Sequence, residues 1–270
     1  MTRDIALGQF VPGNGIVHRT DPRVKIILLI FFITIIFCAF NFVSLGIVTA
    51  AILTVIALSQ VSFKLYFKSL KVIIFIVIIT SLLNMFYGTG EPIWQFGIIK
   101  LTMSGIYRAV FVSVRIVLLI LISSCLTFTT SPTDLTDAIE RLMKPLKFFH
   151  VKVHEIAMMM TIALRFVPTL LEETDKIMAA QKARGADMES GGLIKKVKAM
   201  TPILIPLFVS AFRRAYDLAT AMECRCYRGG EGRTRMKSLH INRLDIIGIA
   251  FSVLVLTGVV LCNVFIAPVV

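Results

Sequence analysis

Two arginines stand at matched places in this sequence, each just past a helix-forming run and each with glycine close behind. Residues 181–192 read QKARGADMESGG, and residues 221–232 read AMECRCYRGGEG. A guanidinium at a helix end presents a planar fork of donors, suited to a carboxylate or to carbonyls in a partner's groove. Its neighbours are small, Ala183 and Gly185 beside Arg184, Cys224 and Cys226 beside Arg225, so two backbones can approach closely. One such arginine could equally reach lipid phosphate or offset its own helix C-terminus. Two matched tips on polar helix ends, pointing away from apolar beginnings, favour docking to a partner.

Other candidate chemistry is thinner. His150 and His154, with Glu155 beside them, stand one helical turn apart and could chelate, but no third ligand follows at useful spacing. Interfacial histidines beside Lys147 and Lys152 are the favoured reading. The C-x-C of Cys224 and Cys226 lacks further Cys or His nearby, and Cys38, Cys125 and Cys262 fall in apolar runs where a thiol packs as a small apolar group. No phosphate-binding loop occurs, and Gly13-Asn14-Gly15 reads as a turn. No catalytic constellation, metal site or cofactor site of the chain's own is expected. Met158, Met159 and Met160 offer flexible, polarizable side chains that accept partners of differing shape, although core or lipid contact explains any one of them as well.

The elements that carry these residues follow from composition. The chain has 270 residues, 57% hydrophobic and 17% charged, with the apolar residues gathered in blocks. Residues 24–40, 42–59, 72–86, 109–130 and 246–269 are each long enough, or nearly so, to cross a bilayer as a helix. The fold class expected is an all-α polytopic membrane protein with about five transmembrane helices. Of 29 Lys and Arg, seven precede or separate the early spans, nineteen lie at 131–243, and Lys100, Arg108 and Arg115 lie in or beside the third connection. With the N-terminus cytoplasmic, five spans place the two basic groups inside and the sparse one outside, so the net charge of +13 is a topology signal rather than a nucleic-acid footprint. Arg115, inside a span, should face protein or water.

Three segments result: 1–130 with four spans, 131–243 on the cytoplasmic side, and 244–270 with the last span. In the middle segment Ser131 can cap and Pro132 can start a helix with Asp134 and Asp137 at its positive end, and Pro145 should bend or end it. Two long helices follow, joined at Gly191-Gly192. Each is apolar where it begins, polar where it ends, and tipped by Arg184 or Arg225. The apolar run 156–171, interrupted by Arg165, is too short to span comfortably, so a bent, amphipathic helical coupling domain at the membrane face is expected.

HRTDPRVK, TTSPTDLTDAIERLMKPLK, ALRFVPTLLEETDKIMAAQKARGAD and SAFRRAYDLATAMECRCYRGGEGRTR, in that order, resemble the transmembrane T component of energy-coupling factor (ECF) transporters, ABC-type importers of vitamins and micronutrients. The resemblance runs from about Gly8 to Arg235. It implies two cytoplasmic ABC ATPases, as homodimer or heterodimer, which bind the ATP and Mg, and one or several interchangeable substrate-binding S components. It also implies that each X-Arg-X tip, Ala183-Arg184-Gly185 and Cys224-Arg225-Cys226, docks in one ATPase groove. Met158–Met160 would then meet the S component. Cysteine at 226, in place of the glycine or serine usual in the family, disfavours a left-handed helix cap there. The rival reading is a self-sufficient secondary transporter, which predicts polar residues near mid-membrane and inverted repeats. The spans are nearly free of charge, and the repeat lies outside them.

Overall fold

The computed structural model describes residues 10–86, 92–96, 99–186, 192–230 and 240–266. Its helices are α1 (Ile16–Arg19), α2 (Pro22–Cys38), α3 (Phe42–Ser59), α4 (Phe63–Phe86), α5 (Met103–Thr129), α6 (Pro132–Leu142), α7 (Val153–Ala183), α8 (Leu193–Cys224) and α9 (Arg243–Phe265). Residues 8–138 with 237–270 pack as one compact unit, and residues 139–236 as a second. The protein is an all-α polytopic membrane protein: α3, α4, α5, α7 and α9 are long and apolar enough to cross a bilayer.

The sequence expectation also named five, with a different membership. At 17 residues α2 sits at the short end of a spanning helix. The 31-residue α7 reaches spanning length because it runs through Pro168 and well past its apolar stretch. The third span also starts earlier than 72, at Phe63. Lys64, Lys68 and Lys71 are good helix formers whose stems can lie along apolar surface while their charges reach the interface, so they prolong the helix rather than end it. A second difference is the connection between α4 and α5, which carries an antiparallel hairpin, β1 (Pro92–Phe96) and β2 (Ile99–Thr102), pairing Trp94 with Leu101 and Phe96 with Ile99.

In the first unit, α2, α3, α5 and α9 enclose a core of Phe32, Ile35, Val48, Ile52, Phe111, Leu118 and Val259, while α4 packs along α5. Lipid tails are as apolar as these side chains, so the core is held by close packing and by polar groups that find partners. Those partners cluster at the HRTDPRVK motif. Asp21 caps α2 by accepting the Arg23 amide at 2.8 Å and pairs with the Arg23 guanidinium at 2.7 Å. Its own amide donates to Asp245 at the start of α9, 2.8 Å away. Buried Lys25 donates to the carbonyls of Thr129 and His18 at 3.0 and 3.3 Å, closing the ends of α5 and α1. One short motif thus ties four helix termini together.

Arg115 plays the same part at the other end of α2. Its guanidinium donates to the Ala39 carbonyl at 2.7 Å, where a cation complements a helix C-terminus, and lies 4.8 Å over the Phe111 ring. A charge that would be costly in lipid is placed against protein.

α6 starts as its sequence suggests. The Ser131 hydroxyl accepts the Asp134 amide at 3.1 Å, Pro132 is the first helical residue, and a 3₁₀ turn at Lys144–Phe149 carries Pro145 after the helix ends at Leu142.

Candidate functional site

The two arginine tips are built alike. At the end of α7 the Gly185 amide donates to Lys182 at 3.0 Å and the Ala186 amide to Gln181 at 3.0 Å. At the end of α8 the Cys226 amide donates to Glu223 at 2.8 Å and the Tyr227 amide to Met222 at 3.0 Å. Each set is the pair of crossed bonds of a Schellman motif, with the arginine as the C-cap residue and the next residue left-handed. Gly185 takes φ 84 at no steric cost, and Cys226 takes φ 55. The doubt raised by the sequence is therefore answered by conformation: the cysteine adopts the left-handed cap that it disfavours, so the second tip keeps the geometry of the first.

Both arginines are exposed, as are Ala183, Gly185, Cys224 and Cys226 around them. Among the described residues neither guanidinium has a hydrogen-bond or ion-pair partner. The negative end of each helix is already closed by backbone bonds, so neither arginine is needed there.

The helices carrying the tips are pinned to one another. Glu173 of α7 accepts hydrogen bonds from the Ser210 hydroxyl and from the Arg214 guanidinium of α8, the latter at 2.9 Å. Each tip lies eleven residues beyond its side of this clamp, three helical turns or about 16 Å. Behind the second tip, Gly230 lies against the His154 ring, close enough that a Cβ there would stand 2.3 Å from a ring carbon. His154 is at the far end of α7, some 45 Å of helix from Arg184. Five residues, at most ~18 Å of chain, connect Gly230 to Arg225. The two arginine backbones are therefore at least about 20 Å apart, and no more than about 45 Å with both clamp arms extended. No single groove can take both tips.

His150 and His154 do not form the chelating pair that their spacing allows. His150 lies ahead of α7 in a left-handed conformation with φ 60, so the two are not on successive turns of one helix. His154 pairs instead with Glu140 at 3.1 Å, and Glu155 with Lys152 at 3.5 Å. Among the described residues no three His, Cys, Asp or Glu side chains cluster as metal ligands.

Met159 and Met160 are exposed on α7, with Met158 half-buried beside them. The larger apolar surface of this unit is on α8. Met200, Leu204, Phe208, Phe212 and Tyr216, four residues apart, are 44–74% exposed, and the rings of Phe208 and Phe212 stack at 6.4 Å. Sequence reasoning named the methionines and missed this stripe, although its strict spacing of four was readable.

Residues 13–236 match the model of the CbiQ cobalt transport protein family. Relatives described as energy-coupling factor transporter transmembrane protein EcfT align over nearly the whole chain. That of Ruminiclostridium cellulolyticum is 52% identical, covering 97% of this chain and 98% of its own length. That of Acidaminococcus fermentans is 49% identical over 98% and 96%, and that of Bacillus subtilis 48% over 88% and 91%. The chain belongs to the EcfT family. The resemblance carried by the four sequence motifs is thereby confirmed. As an EcfT-family protein with five apolar helices of spanning length, it is a multi-pass membrane component of a transporter.

Proposed function

We propose that this chain couples ATP hydrolysis by two cytoplasmic ABC ATPases to the movement of a substrate-binding S component during micronutrient uptake. Each arginine tip docks in a groove of one ATPase, Arg184 in one and Arg225 in the other, while ATP and Mg are bound by the ATPases alone. With α2, α3, α4, α5 and α9 taken as the spans, and α7, though long enough to cross, lying with α8 at the membrane face, the N-terminus and the basic segments 1–23 and 131–243 lie on the cytoplasmic side. The observation that carries the reading is the repeated tip: two alike cap motifs, each with an exposed arginine that has no partner among the described residues, held too far apart for one groove. Closure of the ATPases pulls on both tips, and the Glu173 clamp makes the two helices answer together. The apolar beginnings of these helices, Met158–Met160 on α7 and the stripe from Met200 to Tyr216 on α8, pass the motion to the S component. A surface so rich in methionine and phenylalanine suits several interchangeable S components.

Arg184→Glu and Arg225→Glu test it. Each should weaken copurification of the ATPases and reduce uptake, and the double variant should abolish uptake while the chain still reaches the membrane. Unimpaired uptake in the double variant overturns the docking assignment. Uptake by the chain in the absence of any ATPase would return the case to a secondary transporter.

A further inference from the structure

One stripe of α4 is left uncovered by the described residues. Lys64, Lys68, Lys71, Phe75, Ile78 and Leu82 follow one another at alternating spacings of four and three, which places them on one side of the helix. All six are exposed, the three apolar ones by 51–69%. The stripe is thus cationic over its first two turns and apolar over the three that follow. α4 packs along α5 and against β2, and its one buried residue, Tyr66, lies on the side away from the stripe.

The three lysines have no counter-charge. None has a hydrogen-bond or ion-pair partner among the described residues. Neither α4 nor the elements packed against it, α5 and β2, contain an acidic residue. Between Asp21 and Asp134 the sequence has a single acid, Glu91, which follows the other end of α4.

Exposed lysines are content in bulk water, but the length of α4 holds these at the membrane. Its charge-free part, residues 72–86, is about 22 Å long, short of the ~30 Å hydrocarbon layer. The turns that carry the lysines are therefore drawn to headgroup level, where the stems lie on apolar surface and the ammonium groups reach phosphate. From Lys71 to Leu82 the stripe runs about 16 Å, the depth of one leaflet's acyl chains.

We propose that this stripe binds an anionic phospholipid of the leaflet at the start of α4. The phosphate sits among Lys64, Lys68 and Lys71, and an acyl chain lies along Phe75, Ile78 and Leu82. A zwitterionic headgroup brings its own cation and leaves the lysines uncompensated, whereas an anionic one supplies the missing charge. The site depends on α4 spanning the membrane and not on the coupling role of the arginine tips.

The test places the full chain in nanodiscs of equal parts phosphatidylglycerol and phosphatidylcholine, one or the other carrying a photoreactive diazirine in its acyl chain. Label on peptides covering residues 72–86 should be about tenfold stronger from phosphatidylglycerol, within what three lysines contribute at an anionic surface. Lys64→Gln, Lys68→Gln and Lys71→Gln together should bring the ratio close to one, and the same three positions changed to Arg should preserve it. Removing three exposed charges from the second unit, at Lys144, Lys176 and Arg213, should leave the ratio unchanged, which separates the stripe from the net charge of +13. Equal labelling of the unaltered chain by the two lipids overturns the assignment, whether or not any variant folds. So does a preference that survives the glutamine substitutions. Absence of label from both lipids also overturns it, and would mark the stripe as covered by protein.

Discussion

Cys226→Gly should make the second tip more stable, the reverse of what deleting a side chain usually does. Cys226 sits at φ 55, where an L-residue costs ~1–2 kcal/mol relative to its ordinary backbone regions. Glycine removes that cost but loses ~0.5–1 kcal/mol more backbone entropy on ordering. The thiol is exposed, so its deletion forfeits little packing. The net gain is about 0.5–1 kcal/mol, a two- to fivefold shift against opening of the tip. The reporters are the amides of Cys226 and Tyr227, which make the two crossed bonds at 2.8 and 3.0 Å. Hydrogen exchange followed by mass spectrometry on the isolated chain should show peptides over 222–228 exchanging two- to fivefold more slowly in the variant, with peptides over 181–186 unchanged. Gly185→Cys gives the mirror result at the first tip, where exchange should quicken by a similar factor. If Cys226→Gly speeds exchange or leaves it alone, the residue is not left-handed, and the equivalence of the two tips fails with it.

Spin labels at Arg184→Cys and Arg225→Cys, in a background with the native cysteines replaced, should report backbones about 20–45 Å apart, and a population much closer would show that the tips can share one groove. Glu173→Gln removes the charge that holds Arg214 and should broaden that same distance distribution; an unchanged width would mean that the helices are fixed elsewhere. Lys25→Met keeps the side-chain volume but strands the Thr129 and His18 carbonyls, and should cost about 1–3 kcal/mol of stability, read as a lower thermal midpoint in detergent. An unchanged midpoint would show that the motif around Asp21 holds the four helix ends without it.

Much of this architecture was legible because its causes are local. Ser131-Pro132 starts a helix in any context, and blocks of twenty apolar residues in a polytopic chain have few alternatives to spanning helices. The first tip could be read for the same reason, since a helix-forming run, an arginine and a glycine prescribe a C-cap within six residues. The sequence failed where a distant partner decides. Nothing near Glu173 announces Ser210 and Arg214, and nothing near His154 announces Glu140 or Gly230. The spacing of His150 and His154 suggested a shared helix face, but α7 starts only at Val153, after a left-handed turn at His150. Spacing counts residues along a chain; whether they share a turn depends on where the helix begins.

Cys226 marks the limit from the other side. Judged by intrinsic preference, cysteine argues against a left-handed cap, yet the cap forms, because two backbone hydrogen bonds close at once when that single residue turns. Each such bond contributes about 0.5–1.5 kcal/mol, and without the turn the last carbonyls of α8 would have to find water. Together they offset the one strained residue. The second tip is thus the weaker copy of the first, held by the same bonds against a higher local cost. If each tip serves one ATPase, that asymmetry should show first as readier fraying at Arg225, and only the exchange rates of the two tips, compared within one chain, can separate it from a difference between the two grooves.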